Sequence, residues 1–108
     1  MPEQVRFIVD SHQLSVVVRF MDEYLREPPR GEVHNLLHSI VEAQVLTLKR
    51  RMLVQKLEYR LSMAVHFALA FRRMAMAALE YLPEGGDKTA MRMLLAAIDQ
   101  PMTKYTRV

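Results

Sequence analysis

The sequence predicts an all-α fold, and three observations carry that expectation. Three glycines and five prolines in 108 residues leave few turn signals, which argues against an all-β chain with many hairpins. Residues 32–82 contain neither Gly nor Pro, a run far longer than the mean helix of about 11–12 residues. Apolar residues recur at helical spacing through most of the chain. The expected architecture is two long antiparallel helices and a short third helix in a single domain over residues 1–108, assembled as a helical-bundle homodimer.

Breaks are expected at Pro28-Pro29-Arg30-Gly31, at Pro83-Glu84-Gly85-Gly86 and at Gln100-Pro101. Proline lacks an N–H and biases the residue before it away from helix, so each should end an element. No internal repeat or low-complexity tract is apparent.

The first helix is expected over residues 2–27. Pro2 suits a first helical turn, Glu3 suits the positive end of the dipole, and Phe7, Leu14, Val18, Met21 and Leu25 form an apolar face. The β-branched residues of 5–9 and the cap-like Asp10-Ser11 leave a short strand before residue 10 as the alternative.

The second helix is expected over 32–82. Unbroken, it would be about 75 Å long, against about 30 Å for a compact globule of this size. Either it breaks near Arg50-Arg51 or it extends beyond the core of one copy. From Leu61 to Leu79 only Arg72 and Arg73 are charged, and apolar residues surround the helix axis. Such a helix must be buried on all sides, and a second copy is the simplest cover. Leu57, Leu61, Ala64, Phe67, Ala68, Phe71, Met74 and Ala75 are the expected dimer contacts. The paired arginines interrupt the run too early for a membrane span. The third helix is expected over 87–99, with Asp87 as N-cap and Met91, Leu94, Leu95 and Ile98 as its apolar stripe. The tail after it carries Lys104 and Arg107.

The residue inventory removes most chemistries. Without cysteine there is no disulfide framework, thiolate nucleophile or sulfur-ligated zinc. Asp10-Ser11-His12 holds the three triad types in adjacent positions that cannot stack as acid, base and nucleophile. His34, His38 and Glu42 share a helical face, yet Asn35 stands where a zinc peptidase needs glutamate, and a solvated or interface face is the plainer account. His66 reads as a core or interface residue, and Met52, Met63, Met74, Met76, Met91 and Met93 as gap-filling core. No catalytic residue, metal or cofactor is expected, and the start Met-Pro-Glu-Gln lacks the marks of a secretory signal, so the expected location is cytoplasmic.

Charge is what remains. The net charge of +3 is unevenly spread: residues 49–73 hold Lys49, Arg50, Arg51, Lys56, Arg60, Arg72 and Arg73 against Glu58 alone. On a helix, Lys49, Lys56 and Arg60 fall within about 40° of one another, with Glu58 on the other side. Such a stripe can track a phosphate backbone, although a basic, solvated helix face would look the same.

Asn35-Leu36-Leu37-His38 and Leu46-Thr47-Leu48-Lys49-Arg50-Arg51-Met52 resemble the second helix of the nodavirus suppressors of RNA silencing. The resemblance implies an antiparallel helical dimer that lays Lys49, Arg50, Lys56 and Arg60 across double-stranded RNA. The expected function is therefore sequence-independent contact with the backbone of double-stranded RNA or another polyanion, as a suppressor of RNA silencing. The alternative is a small helical module that docks on, or inhibits, a partner protein.

Overall fold

The structure is a computed structural model that describes residues 4–28 and 30–106, with all of their side chains except those of residues 104 and 106. Pro2, Glu3 and Arg107, and the Lys104 side chain, lie outside what is described. The order of elements is β1 (Gln4–Asp10), α1 (Ser11–Leu25), α2 (Glu32–Met52), β2 (Glu58–Ala64), α3 (Val65–Tyr81) and α4 (Gly86–Thr106). The all-α expectation is overturned: a two-stranded antiparallel ribbon lies across four helices.

The expected helix over 2–27 is a strand followed by a helix. Val5, Phe7 and Val9 are buried while Gln4, Arg6 and Ile8 are exposed, the two-residue period of a half-buried strand. Asp10 ends the strand and caps α1 through a capping box: its carboxylate accepts from Gln13 N–H, and the Gln13 side chain accepts from Asp10 N–H.

The expected helix over 32–82 is three elements. α2 stops at Met52 without help from Gly or Pro, because its C-terminal turn is closed by the Leu53 and Val54 N–H groups. Tyr59 pins the link that follows: its hydroxyl donates to the Val54 carbonyl and accepts from Lys56 N–H. The Leu57 carbonyl then accepts from Ser11 N–H, which ties the start of β2 to the start of α1. In β2, Tyr59 and Leu61 are buried and Glu58, Arg60 and Ser62 exposed. A helix of 75 Å has no place in a molecule of 37 × 36 × 30 Å.

The last helix also outruns its expected end. α4 continues through Pro101 to Thr106, because Met102 is fully buried beyond the proline and holds the final turns on the core. Asp87 lies inside its first turn, where its carboxylate binds His12 and Arg19 of α1.

The chain repeats itself. β1-α1-α2 and β2-α3-α4 are the same unit, offset by 54 positions: Gln4 and Glu58 open the strands, and Glu32 and Gly86 open the long helices. Phe7 pairs with Leu61, its own counterpart, so an approximate two-fold axis passes through that pair. Arg6 matches Arg60, His12 matches His66, Arg19 matches Arg73, and Gly31 matches Gly85. Both glycines hold positive φ (87° and 154°) at the entrance to a long helix, and their carbonyls accept from Asn35 and Thr89 N–H respectively.

The core is a single layer between ribbon and helices. Phe7 meets Phe71 at 5.5 Å between ring centres, and Leu14, Met21, Met91, Leu94 and Ile98 fill the space between helices. α3 is covered by α1, α2, α4 and the ribbon, leaving a narrow exposed line of His66, Leu69, Arg73, Met76 and Glu80.

Candidate nucleic-acid interface

A two-stranded ribbon has two faces, and here the helices cover only one. The register places Gln4 opposite Ala64, Arg6 opposite Ser62, Ile8 opposite Arg60 and Asp10 opposite Glu58, all on the uncovered face. That face is polar and basic at its centre. The two-fold axis relates Arg6 to Arg60, and among the described residues neither has a carboxylate within ion-pairing distance. Ser62 Oγ donates to Gln4 Oε1 at 3.4 Å at one end, and Arg51 Nη2 donates to the Arg60 carbonyl at 2.8 Å along the β2 edge.

The expected basic stripe is dispersed by this fold. Lys49 and Arg50 are at the end of α2, Lys56 in the link and Arg60 on β2. Glu58 shares the outer ribbon face with Arg60 instead of opposing it. Lys49 pairs with Asp22 at 2.8 Å and Arg72 with Asp99 at 2.6 Å, both bridging helices. Arg73 is exposed on α3 and acts on Tyr24, whose hydroxyl pKa is raised by burial against the opposing pull of that charge. Arg51 stays beside Arg60 through its hydrogen bond to that residue's carbonyl, and Arg50 and Lys56 lie on the same stretch of chain, at the end of α2 and in the link to β2. Lys49, Arg50 and Arg51 also oppose the negative end of the α2 dipole.

The residues expected at a dimer contact divide differently. Leu61, Ala68, Phe71, Met74 and Ala75 are buried in the chain's own core, Ala64 and Phe67 are half-buried, and Leu57 is 87% exposed in the link. The cover for which a second copy was invoked comes from β1, β2 and the other helices. His34 and His38 stack near Tyr24, at 5.4 and 5.9 Å between ring centres, and His34 Nδ1 accepts from Arg30 N–H. Among the described residues no three His, Asp or Glu side chains converge on a metal position, and no helix is long and apolar enough to cross a membrane.

Gln4, Arg6, Ile8 and Ser62 were not singled out from sequence. Their signal is the alternation Gln-Val-Arg-Phe-Ile-Val and Glu-Tyr-Arg-Leu-Ser-Met, each only a few residues long. No family model, curated protein or solved structure matches the chain.

Proposed function

We propose that the chain binds duplex DNA by laying the outer face of its ribbon in the major groove. The observation that carries the reading is the uncovered ribbon face, with Arg6 and Arg60 related by a two-fold axis at its centre. Two strands about 4.8 Å apart fit a groove about 12 Å wide and 8.5 Å deep. Gln, Arg and Ser carry the donors that base edges accept, and Arg matches the O6/N7 edge of guanine with two parallel hydrogen bonds. Arg50, Arg51 and Lys56 lie at one flank of the ribbon, where a phosphate backbone would run.

The same geometry disfavours the double-stranded RNA expectation. A-form RNA has a deep, narrow major groove that side chains cannot read, and the helical stripe meant to follow its backbone does not exist here. The approximate two-fold also shapes the site. Arg6 and Arg60 favour like bases at two dyad-related positions, while the unlike pairs Gln4/Glu58 and Ile8/Ser62 favour different bases around them.

Selection from a randomised DNA duplex library tests this. The expected result is an enriched site with guanines at two dyad-related positions and asymmetric flanks. Arg60→Ala should relax one of those positions and Arg6→Ala the other. Enrichment without either guanine would overturn the reading, and retention of a protein in place of DNA would favour the docking-module alternative.

A further inference from the structure

The two halves of the molecule differ in how the long helix meets the ribbon. In the second half, α4 lies against β1 and carries Ile98 and Met102, both fully buried, with Tyr105 half-buried against the core. The equivalent positions on α2 are Gln44, Leu48 and Arg51. There α2 stands off β2 and leaves a cleft of about 360 Å³. Its walls are Ala43 and Leu48 of α2, Leu61 and Met63 of β2, and Phe67 of α3.

Gln4, Thr47 and Ser62 also line the cleft, and Gln44 and Arg51 are two further polar groups in it. Gln44 is 5% exposed; its Nε2 donates to the Phe67 carbonyl at 3.1 Å and contacts Met63 Sδ at 3.3 Å. Its Oε1 is buried with no hydrogen-bond partner among the described residues. A buried carbonyl left without a donor is costly, and fully paired buried polar groups are the norm. Arg51, seven residues further along the same helix face, is the one charged side chain of the lining among the described residues.

We propose that this cleft is a binding site for a small aromatic carboxylate that carries an N–H or O–H donor. The ring fills the space that Ile98 and Met102 fill in the other half, the donor meets Gln44 Oε1, and the carboxylate meets Arg51. The volume suits one such molecule. Two helical turns, about 10 Å along the axis, separate the two polar anchors, and the flexible Arg51 side chain shortens that span. Among the described residues no carboxylate lines the cleft to repel an anion. The site shares Arg51 with the basic flank and Gln4 and Ser62 with the ribbon face, and it is tested without nucleic acid, so its failure and that of the DNA reading are told apart.

The experiment is a titration of the isotope-labelled full chain with indole-3-acetate, followed by amide chemical shifts. Shifts should cluster at residues 43–51 and 61–67 and saturate with a Kd near or below about 1 mM, as expected for a ligand of about thirteen heavy atoms. Gln44→Leu should weaken binding at least tenfold. Arg51→Met, an exposed position, should weaken indole-3-acetate yet leave the neutral indole-3-acetamide unchanged. The ligand-free spectrum of each variant reports whether it folds. No saturable shifts at 10 mM, on the order of ten times that Kd, would overturn the proposal. So would shifts scattered over the surface, or parent affinity in both variants.

Discussion

Arg6 and Arg60 are exposed, point away from the helices and carry no ion pair among the described residues, so each can be removed without disturbing the core. Truncating either to Ala should cost about 1–3 kcal/mol of discrimination at one base pair, with thermal stability within about 0.5 kcal/mol of the parent. Fluorescence anisotropy on the selected duplex and its single-base variants measures the first, and a thermal melt the second. Asp87 is a residue of a different kind. Its carboxyl accepts from His12 Nε2 at 2.8 Å, and Arg19 Nη2 lies 2.8 Å from its other oxygen, joining the starts of α1 and α4. The His12 hydrogen bond, aided by Arg19 against an opposing desolvation, holds that carboxyl below its usual pKa. A depressed folded pKa means stability present above the unfolded value of about 3.9 and lost as pH falls through the folded one. Asp87→Asn should therefore melt below the parent at neutral pH, with the gap closing in acid. A gap that persists unchanged well below that range would contradict this role.

At the scale of elements, the strands owe their place to burial more than to local preference. A two-stranded ribbon is marginal alone, and Val5, Phe7, Val9, Tyr59 and Leu61 hold this one on the helices. Phe7 sits on the two-fold axis against Phe71, so Phe7→Ala should cost about 3–5 kcal/mol in a urea melt; a loss below about 1 kcal/mol would mean the ribbon is anchored elsewhere. The same seven-residue lengths explain what the sequence conceals. Val5 to Val9 alternates with its neighbours, but five residues also fit a helical face, and Leu57, Leu61 and Ala64 follow the i, i+4, i+7 spacing of a helix although Leu61 and Ala64 lie on opposite faces of the strand. The end of α2 could not be read from Gly or Pro, because Tyr59 and the Ser11 N–H fix that link through tertiary hydrogen bonds. The breaks before α2 and before α4 were legible, since Pro28 and Gly31, and Pro83 and Gly85, mark them, and Gly31 and Gly85 adopt positive φ. Apolar spacing made helix legible within 2–27, 32–82 and 87–99, but not the strands lying inside the first two or the run of α4 to Thr106.

For the whole molecule, the repeat was hidden because it is kept in element length and burial. Counterparts such as Val17 and Phe71, or Met21 and Ala75, exchange large for small within a shared core. The repeat gives one chain a two-fold ribbon, which corresponds to the dyad of duplex DNA. The basic flank at Arg50, Arg51 and Lys56 belongs to one half only, so backbone contact should be lopsided about that dyad. Lys56→Ala removes one such contact, and the slope of log affinity against log salt should flatten by about 0.9, alike for duplexes of any sequence. An unchanged slope would place Lys56 away from the phosphates.

Whether the ribbon face holds the duplex is decided by titrating two proteins against two nucleic acids. The parent and the Arg6→Ala/Arg60→Ala double variant are titrated by anisotropy against the selected DNA duplex and against an RNA duplex of the same sequence. The account predicts that the parent prefers DNA, and that the double variant, still folded, loses at least tenfold on DNA alone. Equal binding of RNA and DNA by the parent, or undiminished DNA binding by the folded double variant, would contradict it.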